Sequence, residues 1–183
     1  MTLQLQFEAI THEAELLLDG LTDRQLAWRE NPKVWSIADC LDHLVVTGNQ
    51  SLPRIRQAMS EARSRGLLGR GPFSYGKFGT WFIRLMDAPP TIRFRAPRAY
   101  RPSMDLPASE VVARFFLLQG ELIRASEDAE GIDLAAVRVS NPVSRWFRMS
   151  LGQEFALTAA HERRHLWQAS RVRESLVSAG VLV

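Results

Sequence analysis

The chain has little that would crosslink it, anchor it or charge it heavily. One cysteine, Cys40, stands among 183 residues, so no intramolecular disulfide can form and a reducing cytoplasm is the expected compartment. No apolar run approaches the roughly 20 residues that a membrane-spanning helix needs. The segment Met1–Glu8 lacks the basic-then-apolar order of a secretory leader, so neither membrane nor export is expected. Lysine is nearly missing as well. Of the 23 basic residues 21 are arginine, scattered among 20 carboxylates to leave a net charge of +3. That dispersion argues against a nucleic-acid partner despite a pI near 9.6, since no helix-turn-helix, finger or single-strand-binding signature accompanies it. What remains is 46% apolar against 23% charged residues, the balance of a single globular domain over residues 1–183.

Helical spacing dominates what is present. Leu3, Phe7, Ile10, Ala14, Leu17 and Leu18 predict a first helix that stops at Gly20. Residues 19–35 read as a polar link. Ser36 is a good N-cap with Asp39 at the capping-box position, and Ile37, Leu41, Leu44, Val45, Gly48 and Leu52 form one stripe running to about Arg65, with Pro53 as a kink point. Residues 66–107 hold five of the 11 glycines and six of the nine prolines, which predicts a loop-rich insertion with a short helix around Lys77–Met86. A third long helix is expected over 109–128, capped by Ser109. A fourth runs from Ser150, with Gln153 completing a capping box, to about Ser178. Val137–Ser140 is too short to count as a strand. The expected fold class is therefore all-α, a four-helix bundle with the insertion between its second and third helices.

Histidine is scarce, yet two of the four lie four residues apart in His161-Glu162-Arg163-Arg164-His165. At about 100° per residue, positions i and i+4 project from one helix face and can grip one ion. On the wheel of the last helix His165 falls in the inner arc defined by Leu151, Phe155, Thr158, Ala169, Val172 and Leu176, and His161 falls on its shoulder. The spacing alone is equally consistent with two buried structural histidines, each with its own partner. His43 sits off the centre of its helix's stripe, a boundary position. His12 reads as an ordinary surface residue and Cys40 as a small buried hydrophobe rather than a ligand. The His-Glu-x-x-His pattern also matches zinc peptidases. Gln168 and Arg171 stand where the longer form has Gly and a third His, only a remote Glu174 follows, and no edge strand is evident to hold a peptide, so a peptidase is not expected.

The blocks Trp35-Ser36-Ile-Ala-Asp-Cys-Leu-Asp-His43-Leu44 and His161-Glu-Arg-Arg-His165-Leu-Trp-Gln168, in this order and separation, resemble the DinB/YfiT-like superfamily nearly end to end. The resemblance implies a four-helix bundle, a homodimer, and a metal held by one histidine of the second helix and two of the last. Those positions fall on His43, His161 and His165. It further implies metal-dependent chemistry on small molecules, either transfer to a low-molecular-weight thiol cosubstrate or hydrolysis. A non-catalytic metal-binding protein on the same fold is the alternative.

Three neutral imidazoles would leave a divalent ion (zinc, nickel or iron) with its full charge and an open position, the arrangement of catalytic rather than structural sites. Such an ion can activate water or stabilise a thiolate, and the ligand set does not choose between them. Glu162, near the centre of the inner face, is the candidate general base; alternatively it supports an imidazole N–H or pairs with an arginine. Glu154, Asp39 and Asp42 are weaker supporting candidates. In the insertion, expected over one end of the bundle, Phe73, Tyr75, Phe78, Trp81 and Phe82 either wall a pocket or pack locally. Arg93, Arg95, Arg98 and Arg101 either bind a carboxylate or phosphate or lie solvated.

Overall fold

Thr2 opens helix α1 (Leu3–Leu18) by accepting from the Leu5 N–H, and Gly20 ends it at a φ of +72° that a side chain would strain. This computed structural model describes residues 2–92, 95–103, 106–139 and 149–181, with only the backbone of Lys77 and Phe78. The polar link contains a helix that its composition hides: α2 (Asp23–Leu26) is a single turn closed by a Thr22/Gln25 capping box. Ser36 and Asp39 form the expected reciprocal cap of α3 (Ile37–Ser64), which runs unbroken through Pro53. The insertion contains α4 (Gly76–Met86) and one 3₁₀ turn at Arg98–Tyr100. Helix α5 (Ala108–Asp128) starts one residue earlier than expected, with Pro107 at its N-cap and no side-chain cap. The Ser109 hydroxyl, expected to cap it, donates instead to Asp23. Ser150 and Gln153 cap α6 (Leu151–Ser178) as expected. Arg138–Val139 (β1) and Met149–Ser150 (β2) make a two-residue antiparallel ladder, so two residues of the stretch expected to be too short for a strand do pair. Among the described residues the protein is all-α apart from that ladder and an isolated bridge between Leu68 and Ile132.

Side-chain partners fix the directions of the helices. Gln4 reaches Glu127 and Thr11 reaches Gln119, so α1 and α5 are antiparallel. Gln6 meets Arg163 and the Leu17 carbonyl meets Arg173, so α1 and α6 are parallel. Arg56 pairs with Glu121 and Arg63 with the Asp128 carbonyl, making α3 and α5 parallel. His43 faces His161 while Arg54 faces Glu154, making α3 and α6 antiparallel. Helices α1 and α3 therefore sit on opposite corners, each packed on both α5 and α6. Their apolar stripes meet in one core around Phe7, Phe115 and Phe155, all fully buried.

This topology explains the insertion. Helix α3 has 28 residues and is about 42 Å long at 1.5 Å per residue. A parallel neighbour such as α5 cannot follow by a short turn, so the chain must first climb back. It does so beside the first half of α6: Gln153 donates to the Tyr75 carbonyl, and Arg163 forms a two-bonded ion pair with Asp87. Residues 98–103 then cross onto the start of α3. The insertion thus lies along the α3–α6 groove, where composition suggested a cover over one end.

Two glycines allow the close approach of α4. A Cβ on Gly152 would lie 2.3 Å from the Tyr75 hydroxyl, and one on Gly79 would lie 1.9 Å from Gln153 Nε2. Gly152→Ala is expected to cost about 1–3 kcal/mol in chemical denaturation by forcing the Tyr75 ring outward. Gly120→Ala, with open space at its Cβ, is the control and should be neutral or slightly stabilising.

Candidate metal centre

The start of α3 is held down twice. Ser36 and Asp39 exchange capping hydrogen bonds, and Arg29 reaches back from the link to grip both Asp39 oxygens at 2.7 and 2.8 Å. Burial opposes the Asp39 charge, but the hydrogen bonds from Arg29 and Ser36 outweigh it and pull the carboxyl below its usual range. This clamp fixes Trp35, one residue before the cap. Its ring packs 5.0 Å from the His43 ring and stacks 5.7 Å from that of His165, interplanar angle 30°. The short Trp-Ser block therefore does two jobs: Ser36 starts the helix and Trp35 walls the histidines.

The structure brings His43, His161 and His165 together. Each offers a ring nitrogen within 4.8 Å of the others, and ring centroids are 4.5 to 5.0 Å apart. His43 and His165 are buried and His161 is half-buried. The His43 Nδ1–H donates to the Tyr100 carbonyl in a short hydrogen bond. Since burial lowers the His43 pKa, despite that bond and the nearby Asp42 charge, the ring is neutral and its Nε2 carries a lone pair. That lone pair faces His161 Nε2 at 3.2 Å. Burial, then electrostatic coupling to the neighbouring His43 ring and to Arg164, hold His161 down to about 3. Burial, then His161, His43 and Arg164, hold His165 down to about 2. All three rings are thus in the neutral, ligating form at neutral pH.

A tetrahedral ion with 2.0–2.1 Å bonds to imidazole spaces its ligand nitrogens by about 3.3 Å. The His43–His161 separation of 3.2 Å already matches one edge. His165 Nδ1 is buried with no hydrogen-bond partner among the described residues, a polar atom that a bound ion would satisfy. Backbone fixing of a ring's far nitrogen, as by Tyr100, is the usual support of a ligating histidine. The donor set fits a divalent ion, and the three-histidine group could hold one.

The remaining sequence candidates lie as follows. Glu162 is fully buried beside His161, but its Oε1 accepts from Gln119 at 2.9 Å and its Oε2 has no partner among the described residues; burial pushes the carboxyl up to about 8, against the pull of Gln119 and Arg163. Glu154 is bound to Arg54 and Asp39 to Arg29, so neither supports an imidazole. Cys40 is buried outside the histidine group, with burial and Asp39 pushing its thiol upward. His12 is exposed beside Glu15, and Glu174 is paired with Arg171 at the surface. Of the insertion aromatics Phe82 lines the cleft, Phe73 packs on the core, Tyr75 packs on Gly152, and Trp81 is largely exposed. The Phe78 side chain, Arg93 and Phe94 lie outside the described residues.

Two supports went unread in the sequence. Gln119 stands on the buried face of α5 with Phe115, Leu118 and Leu122, and a polar residue in such a stripe is a signal for a buried partner. The strap at 99–103 had no such signal, because its key atoms are main-chain. Asp42 Oδ2 accepts from both the Ser103 N–H (2.6 Å) and hydroxyl (2.8 Å), and Gln50 donates to the Ala99 carbonyl. With the Tyr100 bond, three α3 side chains tie the strap down. Asp42→Ala should therefore release the Tyr100 carbonyl from His43. Zinc affinity measured by competitive titration is expected to fall about 10–100-fold, while Asp42→Asn, which keeps an acceptor for Ser103, should retain most of it.

The site opens into a cleft of about 1090 Å³ between α3, α6 and the insertion, lined among others by Trp35, Phe82, Met86 and Leu157. Among the described residues no helix is long and apolar enough to cross a membrane. No curated protein and no solved structure matches the chain at a significant level. The family model described as DinB superfamily matches residues 6–169, a span that includes the three histidines and most of the bundle, and the chain belongs to that superfamily.

Proposed function

We propose that the protein is a divalent-metal-dependent enzyme, with His43, His161 and His165 as ligands, acting on a small molecule by transfer to a low-molecular-weight thiol or by hydrolysis. The observation that carries this reading is the presented lone pair: Tyr100 fixes the His43 tautomer, and the freed Nε2 looks across 3.2 Å at His161 Nε2 within a roomy cleft. Once bound, the ion supplies Lewis-acid chemistry, polarising an oxygen or stabilising a thiolate. The chain's own residues do the rest. Trp35 shields the ring faces from water, Tyr100 holds the His43 proton away from the centre, and Phe82 and Met86 wall the substrate. Glu162 is the group placed to hold or move a proton at Oε2, with Gln119 orienting it through Oε1.

The test is metal analysis of untagged protein beside the His43→Ala/His161→Ala double variant. Near-stoichiometric zinc, nickel or iron in the wild type and its loss in the variant are expected; wild type without metal affinity would overturn the reading. Incubation with small thiols and electrophilic acceptors then separates the two chemistries. Turnover only with thiol marks transfer, turnover without it marks hydrolysis, and metal without any turnover marks a binding protein.

A further inference from the structure

We infer that the cleft selects anionic small molecules, and that Arg95 and Arg101 of the strap grip the carboxylate or phosphate group. The inference rests on the metal reading above and names the substrate class of the same site.

The charge inventory of the cleft lining points there. Its other arginines have partners: Arg54 meets Glu154, Arg171 meets Glu174, and Arg164 donates to the Leu85 and Ile92 carbonyls. Two of its three carboxylates are likewise engaged. Glu154 is paired, Glu162 is bonded to Gln119, and exposed Glu30 lies on the link beside Lys33. Arg95 and Arg101 line the same cleft as the three histidines, are exposed, and meet no carboxylate among the described residues. The cleft lining is therefore net positive, and the strap contributes two arginines to it that have no carboxylate partner among the described residues.

That segment is held in place relative to the histidines. Tyr100, next to Arg101, accepts from His43 itself, and Asp42 and Gln50 tie down Ser103 and Ala99. Arg101 uses its Nε on the Ala96 carbonyl. That bond braces the loop carrying Arg95 and leaves the terminal nitrogens of the Arg101 guanidinium for a ligand. A planar guanidinium matches a carboxylate or phosphate with two parallel hydrogen bonds. Because the crossover must pass over the start of α3, the fold sets these cations beside the point where the substrate's reacting atom meets the metal centre.

The test uses three hydroxamate probes of equal length on zinc-loaded protein, read by calorimetry: glutaric acid monohydroxamate, its primary amide, and 4-phosphonobutanohydroxamate. Both anionic probes should bind about tenfold tighter than the amide. Arg95→Gln/Arg101→Gln should erase that preference while leaving the amide's affinity unchanged. The tighter of the two anionic probes identifies carboxylate or phosphate as the natural group. Equal binding of all three, or a preference that survives in the double variant, overturns the inference. Protein that takes up no zinc refutes the metal reading separately. The arginines are then judged by titrating inorganic pyrophosphate into metal-free protein: binding lost in the double variant supports them, and no binding to the wild type overturns them.

Discussion

Glu162→Gln is expected to make the metal-free protein more stable at pH 7.5, by about 4 kcal/mol, and to change little below pH 4.5. The Glu162 carboxyl is fully buried, and its folded pKa is raised from 4.5 to about 8. A raised folded value means that the unfolded chain gives up its proton first. The stability tied to this group is complete below 4.5 and is lost as pH rises through 8, at up to about 1.4 kcal/mol per unit. Glutamine keeps the shape and a hydrogen bond to Gln119 but never ionises, so it escapes that loss. The histidines slope the other way. Their folded values are lowered from 6.5, so their stability is present above 6.5 and is lost as pH falls toward 3. The two slopes cross, and the metal-free wild type should be most stable near pH 6.5. Urea denaturation from pH 4.5 to 9 reads both limbs, and Glu162→Gln should flatten only the alkaline one. A wild-type curve level above pH 6.5 would mean that the carboxylate ionises in contact with water.

The histidine pair was legible because helix periodicity maps spacing onto a face, and the placements of His165, Glu162 and Leu176 on the inner side of α6 follow from it. The two capping boxes at Ser36 and Ser150 were equally legible, since a cap is a local contract between residues three apart. His43 was not assignable from its own helix. A boundary position becomes interior only when a second helix covers it, and here α6 and the strap both do. The direction of α5, parallel to α3, was also hidden, because an apolar stripe reads the same in either direction. Yet that direction forces the long crossover, and the crossover supplies the Tyr100 carbonyl and the Ser103 donors. The histidine pair of α6 thus came from side-chain pattern and His43 from the family resemblance, whereas their supports came from topology and main chain.

Zinc at a thousandfold excess over its dissociation constant should stabilise the protein by about 4 kcal/mol, which for a chain of this size is a rise of roughly 10 °C in Tm. His161→Ala should remove the whole increment, since two remaining imidazoles cannot enclose the ion. The pH dependence of the affinity is the sharper measurement. Proton competition for an imidazole begins at its own pKa. An exposed triad with ordinary values near 6.5 would lose about tenfold per ring by pH 5.5, roughly a thousandfold in all. Here His161 is held near 3 and His165 near 2, chiefly by burial, and His43 is lowered too. Affinity by competitive titration should therefore change only a few fold between pH 7.5 and 5.5. A collapse over that interval would show that water reaches the rings before the ion does, and that Trp35 and the strap do not shield them. The same measurement on Trp35→Ala isolates the cause: with the stacking wall gone, the lost proton competition should return and the pH dependence should steepen.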